Sequence, residues 1–418
     1  MNLLLKSAVI VDPGNTVLHG KKRDILLERG RIQKIAAKIT PSKKAKEVRL
    51  PNLHVSPGWF DGSVSFGEPG FEERETLGNG LQTAAKSGFT DVVLNTDTYP
   101  VPDGSPDMVF LKNRAQGKAT NLHPLGCLSA GGKGKDLAEL YDMNNSGAVG
   151  YYDYKAPISN ANLLKIALQY CQSFKGLVHS FPVDSSISGK GVVNEGPVST
   201  RLGLKGIPAL AEEIQIARDI FILEYAGGKL HIPTLSTARS VELVAGAKKK
   251  GLDISCSVAV HNLWFSDGAL EDFDSIYKTA PPLRSKTDIQ ALIKGVNEGT
   301  IDFVVSDHRP LNVELKKVEF DNAAYGTVGL ESAFGALNRI FGAEMTVDIL
   351  TRGKSRYTVE KYPIEEGAMA QLTLFDPDLE YVFERKHINS SSQNSIFLGE
   401  KLKGKAYGVV NNGLAILE

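Results

Sequence analysis

From His54 onward the chain alternates short apolar runs with stretches in which hydrophobic residues recur at helical spacing, a pattern that predicts βα units and a parallel sheet. Eight apolar runs carry the strand signal: Val55 to Phe66, Asp91 to Thr96, Leu122 to Leu128, Ala148 to Tyr154, Gly176 to Phe181, Lys229 to Leu235, Leu252 to His261 and Asp302 to His308. Eight such units over about 300 residues predict a TIM-type (β/α)8 barrel, which places functional groups at the carboxyl ends of its strands. Asp153, His179, His231, His261 and the adjacent pair Asp307 and His308 all fall near such ends. The flanks read differently. Leu3 to Val11, Asp24 to Glu28 and Arg31 to Ile35 are β-rich runs separated by turns, and β character returns in Gln371–Pro377 and Gly404–Gly413. The expected organisation is an α/β chain with a barrel over 53–362 and a small β-sandwich formed by 1–52 and 363–418.

Composition narrows the function classes. Lys+Arg and Asp+Glu are both 48, so the formal net charge is zero. No basic excess is present to neutralise phosphates or to hold an anionic membrane, which argues against both partners. With 42% hydrophobic and 23% charged residues the chain has the balance of an ordinary globular protein. Cys127, Cys171 and Cys256 are odd in number and show no Cys-x-x-Cys spacing, as expected of buried thiols in a reducing cytoplasm. The N-terminal run Asn2–Asp12 lacks a basic leader and a cleavage site, and reads as a first strand.

The run Pro57-Gly58-Trp59-Phe60-Asp61-Gly62-Ser63-Val64-Ser65-Phe66-Gly67-Glu68-Pro69-Gly70 resembles the opening motif of dihydroorotases among the cyclic amidohydrolases, Pro-Gly-Phe-x-Asp-x-His-x-His-x-Arg-Glu-Pro-Gly. The resemblance continues through Asn194-Glu195-Gly196, Leu202–Pro208, Glu212–Asp219, Pro281-Pro282-Leu283-Arg284, Gly299–Asp302, Asp307-His308 with Pro310, and Gly326 with Gly329-Leu330-Glu331. It covers essentially the whole chain.

The resemblance implies reversible hydrolysis of the cyclic amide of dihydroorotate to carbamoyl aspartate, in pyrimidine biosynthesis, at a pair of zinc ions. Ser63 and Ser65 stand where the family has the first metal's histidines, and a neutral hydroxyl is a poor zinc donor beside imidazole. Asp153 matches a bridging carboxylate, His179 and His231 match the second metal's histidines, and Asp307 matches the strand-8 Asp that ligates the first metal and acts as general base. At most one zinc is expected, on Asp153, His179 and His231. Substrate positions have changed too. Gly67 replaces an Arg, Asp97 aligns near an Asn, Ala280 replaces an Asn and Leu311 replaces a His, so a cation is lost and a carboxylate stands where an anion binds. Arg309 is a new cation, either an anion contact or a partner for Asp97 or Asp307.

Two readings follow. One is a dihydroorotase relative with impaired or lost hydrolysis, acting as a structural or regulatory partner; inactive relatives in this family hold aspartate carbamoyltransferase in an assembly, so that partner is implied by resemblance. The other is an active one-zinc hydrolase, with Asp307 as proton shuttle, on dihydroorotate or another cyclic amide. A homodimer is expected in either case.

Overall fold

The computed structural model describes residues 2–40 and 45–418. Residues 1 and 41–44 of the expected N-terminal unit lie outside the described residues. Seven strands of the barrel form two parallel sheets. Trp59–Val64 pairs with Phe89–Leu94, which pairs with Asn121–Pro124. Leu177–His179, Lys229–Ile232, Ile254–Ala259 and Phe303–Val305 follow in order in the second sheet. Isolated parallel bridges join the two: Gly126 to Tyr151 and Tyr151 to Val178 on one side, Val64 to His308 on the other. The ring thus runs through eight staves. Helices that include Leu77–Lys86, Ala161–Cys171, Ala209–Ala226, Ala238–Lys249, Lys286–Asn297 and Leu330–Phe341 bury their apolar faces around it.

Two predicted strands are altered. Val55 to Phe66 was expected as one barrel strand, but it breaks at Gly58, whose amide donates to the Gln371 carbonyl at 3.0 Å. His54–Pro57 leaves the barrel and pairs with Leu372–Val382. The fourth stave is short because the chain turns away after Tyr152. Tyr151 exchanges backbone bonds with Leu177 and His179, and Tyr152 donates to Gly126. Beyond it, Tyr154 N bonds the Thr96 hydroxyl at 3.2 Å and Ala156 N closes a turn onto the Asp153 carbonyl.

The two chain ends build one β unit. Leu414–Leu417, Lys401–Asn411, Leu372–Val382, His54–Pro57, Asn2–Ile10, Lys22–Glu28 and Arg31–Ala36 are neighbours in that order, with Lys46–Val48 beside the first strand of the chain. Leu3, Leu5, Ile10, Ile25, Leu27, Val55, Leu372 and Leu374 alternate inward to form its own core. Among the described residues no helix is long and apolar enough to cross a membrane.

Candidate functional site

The first strand delivers Ser63 and Ser65 to the mouth of the barrel, where both are buried. Asn95, one residue past the second strand, donates its side-chain amide to both hydroxyls, 3.1 Å to Ser63 Oγ and 3.2 Å to Ser65 Oγ. Both N–H donors of one amide are therefore spent on the two hydroxyls.

His179 ends its strand and lies edge-on to His231, with ring centroids 5.0 Å apart. The His231 ring is held at both nitrogens, and the His179 ring at Nε2 alone, its Nδ1 being buried without a partner. His179 Nε2 shares a hydrogen bond of 3.1 Å with the Tyr357 hydroxyl, which rises from the 3-10 turn Gly353–Tyr357. His231 meets Ser255 Oγ through Nδ1 at 2.8 Å and Ser257 Oγ through Nε2 at 3.2 Å, and it stacks on Phe303 at 5.2 Å. Burial, with Arg356 nearby, drives His179 down to about 3, and burial with His179 beside it holds His231 well below the usual imidazole range. Both are neutral rings packed among Phe60, Tyr152, Phe303 and Tyr357.

Asp153 does not join them. One carboxylate oxygen accepts from the Leu128 and Ser129 amides at 2.9 and 3.0 Å, and the other takes the Ser129 hydroxyl. Its charge braces the loop after the third strand, although burial still raises its pKa. Asp307, past the last strand and 1% exposed, is held by Lys155, whose Nζ lies 2.8 Å from Oδ2. Burial pushes Asp307 up and Lys155 down, each against the attraction of the other. Asp97 and Arg309 form a second pair, 2.7 and 3.2 Å across two nitrogens, so Arg309 is a salt-bridge partner rather than an open anion contact. Gly326, at φ +139°, leaves room for the Arg309 side chain that lies against it.

The donors do not fit a zinc ion. Asp153 and both His231 nitrogens are engaged by separate partners, His179 keeps a buried Nδ1 without one, and among the described residues no three His, Cys, Asp or Glu side chains converge to hold a metal. The expected three-ligand set is not assembled, because strand ends fix where a backbone arrives but local hydrogen bonds decide where a side chain points.

Comparison with known proteins places these features. The dihydro-orotase-like family matches residues 53–240. The dihydroorotase of Pelotomaculum thermopropionicum is 37% identical over 100% of this chain and 99% of its own, and that of Geobacter sp. strain M21 is 34% identical over 100% of both. The chain belongs to the dihydroorotase family. Solved structures agree in fold: the L-hydantoinase of Arthrobacter aurescens superposes with a TM-score of 0.85 at 20% identity, over 100% of this chain and 96% of its own. The dihydropyrimidinase of Brevibacillus agri gives 0.83 at 20% identity, over 100% and 95%. The barrel with its terminal β-sandwich is the fold class expected from the sequence.

The positions that the resemblance marks as altered differ in how open they are. A Cβ on Gly67 would lie 1.8 Å from the Phe71 carbonyl oxygen, so the loop 67–75 as folded has no room for the Arg that the resemblance expects there. Leu311 is buried, with its amide on Asn394 Oδ1 at 3.1 Å, and lines a cavity of about 780 Å³ with Glu73, Lys316 and Arg385. Ala280 packs partly buried against the aromatic cluster around His179.

The longest dihydroorotase-like motifs carry architecture. Arg284 bonds Asn194 Oδ1 at 2.9 Å, the Ile207 carbonyl at 2.7 Å and Ser236 Oγ at 3.0 Å. Glu212 accepts from the Ser236 and Thr237 amides, fixing the loop after Lys229–Ile232. Asp219 takes the Ser180 hydroxyl at 2.6 Å and so fixes the residue after His179. Asp61 joins the first and last strands through the Ser63 and Ser306 amides, and burial raises it to about 7. Asn95 and Tyr357 were not singled out as site residues by sequence reasoning, and Lys155 came up, with Lys175, only as a lysine whose modification to a ligand was not relied on. The available signals were polar residues next to strand ends, Asn95 two before Asp97 and Lys155 two after Asp153.

Proposed function

We propose that this dihydroorotase-family chain has lost efficient hydrolysis of dihydroorotate and serves as a structural or regulatory subunit in the cytoplasm, itself a dimer, with aspartate carbamoyltransferase as its partner. The carrying observation is Asn95: its amide occupies both serines that replace the first metal's histidines. The remaining groups support the same reading. Asp153 is bound to backbone amides, and Asp307, the family's general base, is in an ion pair with Lys155. Without a metal-bound water, a carboxylate at Asp307 has nothing of suitable acidity to deprotonate. The partnership rests on the family resemblance, and the cytoplasmic location on the resemblance and on three buried free cysteines.

The test measures zinc per chain by elemental mass spectrometry on protein purified without chelator, turnover of dihydroorotate in both directions, and co-elution with aspartate carbamoyltransferase from the same source. The expected result is no stoichiometric zinc, no turnover above background, and a stable complex. About one zinc per chain, lost in His179→Ala together with turnover, would establish the one-zinc hydrolase instead. A chain that never co-elutes with the transferase would overturn the partnership.

A further inference from the structure

We infer that Lys155 is a built-in counter-ion that takes over at Asp307 the charge role a metal plays in the family. The inference rests on the reading that this site does not hold zinc.

A carboxylate as deeply buried as Asp307 is costly unless a cation or several donors face it. Its partner in this chain comes from an irregular segment. After Tyr152 the backbone curls through the turn closed by Ala156 N on the Asp153 carbonyl, and Lys155 takes a left-handed conformation at φ +52°. That shape is secured from two directions: the Thr96 hydroxyl donates to the Tyr152 carbonyl at 2.7 Å, and the Lys155 amide donates to the Tyr152 hydroxyl at 3.1 Å. The turn sends the lysine side chain across the mouth to Asp307 Oδ2, with only 10% of it exposed.

The second pair extends the arrangement. The Tyr154 ring has the Lys155 ammonium 5.3 Å from its centroid and the Arg309 guanidinium at 5.6 Å. One aromatic ring thus lies within cation–π range of both cations, and links the Lys155–Asp307 pair to the Arg309–Asp97 pair. Each carboxylate expected to face a metal or substrate has a partner within the chain: Asp307 meets Lys155 through Oδ2 while its Oδ1 stays buried without a hydrogen bond, Asp97 meets Arg309, and Asp153 meets the Leu128 and Ser129 amides. A divalent ion entering here would have to displace Lys155 against like-charge repulsion.

A double-mutant cycle on the full chain tests this. Lys155→Met, Asp307→Asn and the double variant are compared by thermal midpoint, with and without chelator, alongside Lys155→Arg. Lys155→Met is expected to lower the midpoint by about 5 °C or more, because it strands a buried carboxylate. Adding Asp307→Asn to it should recover most of that loss, Lys155→Arg should retain most of the stability, and chelator should shift none of them. If Lys155→Met does not fold, recovery of soluble protein in the double variant supplies the same comparison. Additive losses, an unaffected Lys155→Met, or a double variant no better than Lys155→Met would overturn the inference while leaving a zinc-free protein. Stoichiometric zinc in the wild type would instead overturn the reading on which it rests.

Discussion

Lys354 Nζ stands 2.7 Å from Asp91 Oδ2 in the interior, with both side chains at most 2% exposed. Gln371 completes the contact by accepting from Lys354 at 2.7 Å and donating to Asp91 at 3.0 Å, which ties the second barrel strand to the terminal sheet. Lys354 and His123 hold Asp91 well below the usual carboxylate range in spite of burial. Lys354→Met is therefore expected to cost about 3–5 kcal/mol by leaving an uncompensated buried charge. Urea denaturation at pH 7 measures it; a loss under about 1 kcal/mol, the scale of an exposed pair, would show that the contact is not a buried ion pair.

Acid should weaken the fold well before carboxylates titrate. His179, His261 and His308 are each driven down to about 3, chiefly by burial, and so are neutral when folded and take up protons near their ordinary range when unfolded. Their stabilisation is present above about pH 6.5 and is lost as pH falls toward 3. Asp61, raised to about 7, works in the opposite sense: its protonated form favours the fold at low pH, and that contribution fades as pH rises from about 4 to 7. His231, held well below the usual imidazole range by burial and by His179, adds to the three rings, whereas Asp153, Asp219, Asp307 and Glu331, all raised chiefly by burial, act with Asp61. One ring's share is read by difference: His261→Gln should make the urea midpoint fall less between pH 6.5 and 4, and an unchanged pH profile would contradict the burial of that ring as a neutral group.

Gly67→Ala isolates the closure of the substrate-side loop. The added methyl would sit 1.8 Å from the Phe71 carbonyl oxygen, so backbone must move. The expected cost is about 1–3 kcal/mol, or more if the loop 67–75 rearranges, read as a lower thermal midpoint. An unchanged midpoint would mean that the loop yields freely, and that the family's Arg could be accommodated.

Exhaustive treatment with a chelator should leave thermal midpoint and far-UV circular dichroism unchanged. A metal bound to the native state raises stability by mass action, so its removal lowers the midpoint. A drop that zinc restores would identify a metal site in this chain.

Much of the barrel was legible in the sequence because apolar runs bounded by turn residues report βα units directly. The terminal strands were legible for the same reason, their inward residues alternating from Leu3 to Leu5 and Leu372 to Leu374. What escaped depended on distant partners. Gly58 ends a strand because Gln371 captures its amide, and Tyr151 is a one-residue stave because Thr96 draws the following backbone aside. Asp153 stands where the family pattern puts it, yet its carboxylate belongs to Leu128 and Ser129. The serines at 63 and 65 stand where the resemblance expects a metal's histidines, but nothing local to them announced that Asn95 would donate to both.

The pairing of His54–Pro57 with Leu372–Val382 sets a schedule for biosynthesis. The strand that leads into the barrel lies beside Asn2–Ile10 early, but finds its other neighbour only after the whole ring has emerged from the ribosome, and Asn411 must arrive later still to bond the Thr90 and Ala119 carbonyls beneath the second and third strands. Until then the nascent chain carries an open sheet edge, the kind of surface that recruits other chains. Until that pairing forms, the edge of His54–Pro57 is the surface of this sheet most open to misassembly.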